Sequence, residues 1–198
     1  MEFIEDIKEG FDSIDPTRQN GAQPLDPAKY SAFVKNPSDI TEDVLYQLSD
    51  IISGRMDVHE ETQKPGIPST PDVVDRLLNS VTIVYIEEEG VPVGVASLVD
   101  PTQKNYMGFK PIDLYSLHSG VNLEGRVLME FFAVPDEYLD KGIAEEILAQ
   151  IDDTDTEVFT VTDADDISAT NMLTRFGFKP VANMDINSNE GPVTLWLK

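Results

Sequence analysis

At 198 residues and 40% hydrophobic, the chain is long enough to bury a proper core and reads as one domain with an arm. Its formal net charge of −23 excludes a nucleic-acid binder, which needs a basic footprint. Zero cysteines exclude disulfides, thiolate metal sites and a thiol nucleophile, and the two histidines, His59 and His118, lack ligand spacing, so no metal is expected. The charge itself has three readings: solubility or adaptation to a salty medium, a cationic partner or substrate, and mimicry of DNA. The scatter of the acids along the whole chain speaks against the last.

Residues 1–27 hold Asp15-Pro16, Asn20-Gly21, Pro24 and Pro27, with a short amphipathic piece at Phe3, Ile4, Ile7, Phe11 and Ile14. They read as an acidic arm that mediates a homo-oligomer or a larger assembly. The amino terminus lacks a basic start and an apolar h-region, so no secretory signal is expected. With no apolar run near the ~20 residues that span a bilayer, the expected setting is cytoplasmic and away from membranes.

A first strand is predicted at 29–35. Ser38 or Thr41 then caps a helix with Val44, Leu45, Leu48, Ile51 and Ile52 on one face. Residues 54–69 form a polar loop. Thr70-Pro71 is an N-cap and N1 pair for a second helix bearing Val73, Val74, Leu77 and Leu78. Strands at 81–87 and 91–99, separated by Glu88-Glu89-Gly90, make a hairpin, and the three glutamates from Glu87 read as a solvated turn. Residues 101–126 are predicted to be a long loop carrying Tyr106, Phe109, Tyr115 and His118.

The run VLMEFFAV from Val127 has Glu130 as its only charge and reads as a strand buried on both faces. After Pro135 the period changes: Ile143, Ile147, Leu148 and Ile151 fall on one helical face. A further strand at 158–162, a helix at 167–176 and strands at 178–183 and 193–197 complete the chain.

Two segments carry a family resemblance. Five residues after Val134 the loop Leu139-Asp140-Lys141-Gly142-Ile143-Ala144 has the spacing Arg/Gln-x-x-Gly-x-Gly/Ala of the GNAT (Gcn5-related) N-acetyltransferases. Downstream, Ala169-Thr170-Asn171-Met172-Leu173-Thr174-Arg175-Phe176-Gly177-Phe178 resembles their Ala-x-x-Leu-Tyr-x-x-x-Gly-Phe segment. The resemblance covers residues 28–198. It implies a GNAT-like α/β (α+β) fold: a mixed, mostly antiparallel sheet of six or seven strands with about four helices and a splayed central strand pair. It also implies acetyl transfer from acetyl-coenzyme A to an amine, either a small amine or a lysine-bearing protein. By the same resemblance, Phe132, Ala133 and Val134 would hold the pantetheine. Leu139, Asp140, Lys141, Gly142, Ile143 and Ala144 would cradle the diphosphate.

Three departures bear on that activity. Leu139 replaces the Arg or Gln of the family. Asp140 at the helix mouth is expected to cap the N–H groups that would hold a phosphate and to repel one, so coenzyme A is expected to bind weakly or not at all near neutral pH. Leu173 stands where the family often has a tyrosine that protonates the thiolate, and Asp166 replaces a frequent asparagine. Glu130 in its apolar strand is the candidate base, since burial would raise its pKa; the competing reading is a carboxylate paired with Lys or Arg. His118 and Tyr115 are candidate base and acid, and Tyr138 is expected to pack over the helix start. Two functions stay open: an acetyltransferase of altered activity, or a non-catalytic module of the same fold, for instance a structural component of a virus particle.

Overall fold

The computed structural model describes residues 25–26, 28–58, 70–104, 108–186 and 191–198. The predicted association arm at 1–27, apart from positions 25 and 26, lies outside these residues, as do His59 and Tyr106. Among the described residues, seven strands form one sheet in the order β1-β2-β3-β4-β5-β7-β6. They are β1 (Tyr30–Lys35), β2 (Thr82–Glu88), β3 (Val91–Val99), β4 (Val127–Ala133), β5 (Val158–Asp163), β6 (Lys179–Met184) and β7 (Val193–Leu197). The helices are α1 (Glu42–Val58), α2 (Thr70–Leu78), α3 (Pro111–Ser119), α4 (Ile143–Asp152) and α5 (Ile167–Arg175). Only β4 and β5 pair in parallel; the other neighbours are antiparallel. No described helix is long and apolar enough to cross a membrane.

Side-chain alternation along the strands splits the core into two layers. Ile83, Tyr85, Val95, Phe131 and Ala133 face α1 and α2, where Leu48, Val73 and Leu77 are fully buried. Val84, Ile86, Ala96, Met129 and Val134 face the other way, onto Ile143, Ile147 and Leu148 of α4 and Leu173 of α5. Burial on both faces is why these strands read as continuous apolar runs. Leu78, predicted to share the buried face of α2, is 50% exposed at the helix end. The β2–β3 hairpin turns on Glu89 and Gly90 at φ 53° and 86°, the left-handed pair a two-residue turn requires, so Glu88 belongs to the strand.

The segment expected to be a long loop instead contains α3. Pro111 opens this helix, and Gly120 at φ 69° closes it, its N–H donating to Ser116 O at 2.9 Å. Apolar residues lie all around it: Ile112 and Tyr115 pack against Leu128 and Phe159, whereas Leu117 is 79% exposed. That scatter hides the helical period; with this helix the described residues hold five α-helices, in line with the expected fold.

Candidate functional site

The central parallel pair is joined at only two positions, Val127 with Val158 and Leu128 with Phe159. Beyond them β4 and β5 diverge. Thr160 Oγ1 reaches back across the opening to donate to Met129 O at 3.0 Å. On its other edge β4 stays paired with β3 up to Val95–Ala133, with one irregularity: Ser97 partners Phe131 and Leu98 partners Met129, so Glu130 is an extra, unpaired residue. This is a β-bulge, which bends a strand and re-aims its side chains. The fully buried Ser97 hydroxyl takes up the displaced N–H of Phe131 at 3.3 Å. Bulge and divergence together open a cleft of about 310 Å³ over the end of β4.

One wall of the cleft is Phe132, Ala133 and Val134 with Leu139 and Ala144; the facing wall is Asp166, Ser168, Ala169 and Met172 at the start of α5. Asp166 Oδ1 accepts from Ala169 N at 2.9 Å and so caps α5. Glu130 sits at the floor, beside Phe131 and Ile52. Its Oε1 accepts from Arg76 Nη2 of α2 at 2.8 Å, each side chain 16% exposed, and the Arg76 guanidinium lies 4.2 Å over the Phe131 ring. Of the two readings of Glu130, the structure displays the ion pair.

Of the residues expected to hold a cofactor, Phe132, Ala133, Val134, Leu139 and Ala144 line the cleft. Asp140 and Lys141 stand exposed beside it, while Gly142 and Ile143 are buried behind it. Asp140 does not cap α4: the N-cap is Gly142 at φ 84°, and no side chain bonds the helix start. The left-handed turn carries the chain into the helix and leaves the Asp140 carboxylate two residues upstream in solvent. That same φ is a reason for glycine at 142 which phosphate approach does not supply. Tyr115 and His118 are not brought to the cleft. Tyr115 packs edge-on to Phe159, ring centroids 6.2 Å apart, at the end where β4 and β5 are still joined; His118 is exposed on the last turn of α3. Their helix docks at the closed end of the splay, so neither can serve chemistry at the open end. Leu173 is buried in the core, and Met172 faces the cleft in its place. Ser168, Ala169, Met172 and Ile52 were not anticipated at the site; the signals for that wall were the Ala169–Phe178 resemblance and the Asp166 to Ala169 capping spacing.

Tyr138, in a 3-10 turn at Asp136–Tyr138 just ahead of α4, donates its hydroxyl to Glu88 Oε2 at 2.7 Å. Lys29 Nζ lies 2.6 Å from Glu88 Oε1. Glu88 is therefore no solvated turn residue. Hydrogen bonds from Lys29 first, then Tyr138 and Tyr30, hold its carboxyl at about 2, below its ordinary 4.5. The Glu88 hydrogen bond, with burial behind it, pushes Tyr138 up from 10.0 to about 12, and Glu88 also raises Lys29. A carboxyl held low adds stability above its unfolded value, and that stability is lost as pH falls through the folded one; the raised partners add stability that is lost at high pH. The denaturation-midpoint difference between wild type and Glu88→Gln is thus expected to be level from about pH 5 to 9, shrinking below about 4.5 and again from about 10 towards 12. A difference that stays level down to about pH 2 refutes this assignment.

A seven-stranded mixed sheet whose central parallel pair parts over a cleft, with a helix beginning at its rim, is the fold of the GNAT N-acetyltransferases. The chain is similar to a GNAT-family acetyltransferase from Streptococcus agalactiae at 14% identity and TM-score 0.63, covering 84% of this chain and 94% of that one. It is also similar to a putative acetyltransferase, yncA, from Salmonella typhimurium with its cofactor acetyl-CoA, at 13% identity and TM-score 0.55 over 86% and 93% of the two chains. A third is Naa50 from Arabidopsis thaliana in complex with the bisubstrate analogue CoA-Ac-MVNAL, at 13% identity and TM-score 0.52 over 85% and 98%. No family model and no curated protein matches the sequence.

Proposed function

We propose that the protein binds acetyl-coenzyme A in the β4–β5 cleft and transfers the acetyl group to a cationic amine. The observation that carries this reading is the splay itself: past Leu128 the β5-facing edge of β4 has no strand partner, and the space beside it is open. Unpaired strand edges offer N–H and C=O groups to an extended ligand, here the pantetheine amides. The residues fit that arm of the cofactor well. They fit the diphosphate less well, because Asp140, Glu145 and Glu146 crowd the start of α4 and Lys141 is the cation beside them. Bound, acetyl-coenzyme A supplies a thioester carbon open to attack by a neutral amine. Glu130 on the cleft floor attracts the ammonium form and is the carboxylate within reach of its proton. Ser168 carries the hydroxyl among the described lining residues, in a cleft where Leu173 offers none. The −23 field favours a cationic acceptor and opposes the anionic cofactor.

The second reading, a non-catalytic module of the same fold, draws support from the buried Leu173 and from the Glu130 carboxylate held by Arg76. Calorimetric titration of acetyl-coenzyme A, followed by a thiol-release assay over a panel of amines, separates the two. Binding with thiol release supports the enzyme; binding without release for any amine supports the module. Replacing Leu139 by Arg together with Asp140→Gly removes one negative charge and adds one positive charge, a net change of two units at the rim of the cleft. This double variant is expected to tighten binding by about tenfold at low salt. Unchanged affinity in it removes the loop from the site.

A further inference from the structure

We propose that Tyr138 is the positioning residue of the loop between β4 and α4, tying it to the β2–β3 hairpin through its hydroxyl and poising Lys141 over its ring as the cation for a diphosphate. The proposal rests on the reading of the cleft as a coenzyme A site. Residues 135–142 contain Asp136, Glu137 and Asp140 against the single Lys141. A flexible lysine among such acids would ordinarily fold onto one of them, yet Lys141 makes no ion pair among the described residues. Its Nζ instead lies 4.1 Å from the centroid of the Tyr138 ring, with the side chain exposed. Tyr138 is in turn held from three sides. Its ring packs against the main core cluster, its N–H donates to Pro135 O at 2.9 Å, and its carbonyl accepts from Lys141 N at 3.1 Å.

The hydroxyl makes the long-range tie. Glu88 lies 50 residues away in sequence, at the end of β2, and Lys29 approaches the same carboxylate from ahead of β1. The backbone repeats the link, Glu89 N donating to Lys29 O at 3.1 Å. A loop that leaves the sheet at Val134 and must present one cation to a ligand is thereby anchored at its midpoint to a rigid hairpin. An anchored cation loses less freedom on binding than a free one, so the tie raises affinity without touching the ligand.

Inorganic pyrophosphate is the probe, titrated at fixed ionic strength into wild type, Tyr138→Phe, Tyr138→Leu and Lys141→Gln, with acetyl-coenzyme A titrated in parallel. With Lys141 Nζ 4.1 Å from the Tyr138 ring centroid, the Lys141 side-chain protons are expected to carry a ring-current shift, which NMR reads in each protein. Tyr138→Phe keeps the ring and the shift but loses the tie; Tyr138→Leu loses both. Pyrophosphate affinity is expected to fall modestly in the first and about tenfold in the second and in Lys141→Gln. Lys141→Gln binding pyrophosphate as tightly as wild type, or wild type not binding it at all, overturns the proposal. So does an acetyl-coenzyme A affinity that Tyr138→Leu leaves unchanged, although the cofactor reading then stands. Pyrophosphate binding lost in the variants while wild type ignores acetyl-coenzyme A supports the positioning role and removes the cofactor reading.

Discussion

Gly94→Val is expected to lower stability by about 3 kcal/mol, the upper end for overpacking a filled interior. Gly94 lies in β3 beneath the first turn of α4. A Cβ there would come within 2.6 Å of Ile143 Cγ2, 3.0 Å of Ile147 Cδ1 and 3.4 Å of Val134 Cγ2. Ile147 can turn its terminal methyl aside. Ile143 cannot do the same, because the crowded atom is the branch methyl of a fully buried residue, so α4 itself must lift from the sheet. Since α4 begins at the rim of the cleft, the loop before it shifts as well. Urea unfolding reads the loss of stability. The double variant Gly94→Ala with Ile143→Ala is expected to cost clearly less than the sum of its single changes, because the second change removes the methyl the first one meets. A wild-type midpoint in Gly94→Val would falsify the close contact.

Arg76→Met is expected to cost about 2 kcal/mol, less than the ~3–5 of a fully buried pair because both partners keep some exposure. Methionine preserves much of the stem that packs in this layer. It abandons the Glu130 carboxylate at 2.8 Å and the guanidinium contact with the Phe131 ring at 4.2 Å. The charge left behind sits on the cleft floor, beside Ile52 and Phe131, with little to solvate it. Adding Glu130→Gln removes that charge, so the double variant is expected to recover about half of the loss. Equal stabilities for Arg76→Met with and without the second change would show that the pair is screened by water and contributes little. The same variants report on chemistry: if Glu130 takes the proton of the amine, Glu130→Gln loses thiol release while retaining acetyl-coenzyme A binding.

Much of the site was legible in local pattern. The run at 127–134 announced a central strand because it is apolar throughout, and a strand covered on both faces has no reason to alternate. The change of period after Pro135 located α4, and the glycine at 142 marked its entry. These signals lie within a few residues of one another, where backbone preference and side-chain period act directly. They placed Phe132, Ala133, Val134, Leu139 and Ala144 on what proves to be one wall of the cleft. The same local reasoning failed at α3, whose apolar residues point in all directions, and at Asp140, where the left-handed turn at Gly142 removes a carboxylate from the helix it was expected to cap.

What the sequence by itself determined is thus the order and kind of nearly every element, the hairpin, and the near wall of the cleft. Each depends on periodicity, capping or turn chemistry that a short window contains. The tertiary structure alone decided where β4 stops pairing with β5, which residue bulges, and what stands opposite. Glu130 is left out of register where β4 pairs with β3, Ser97 satisfies the strand across 34 residues of sequence, and Arg76 reaches the carboxylate across 54. Glu88 and Tyr138 meet across 50, and Gly94 is needed because Ile143 arrives above it. Such contacts are chosen when distant segments compete for the same surface during packing, and nothing in either segment alone records the outcome.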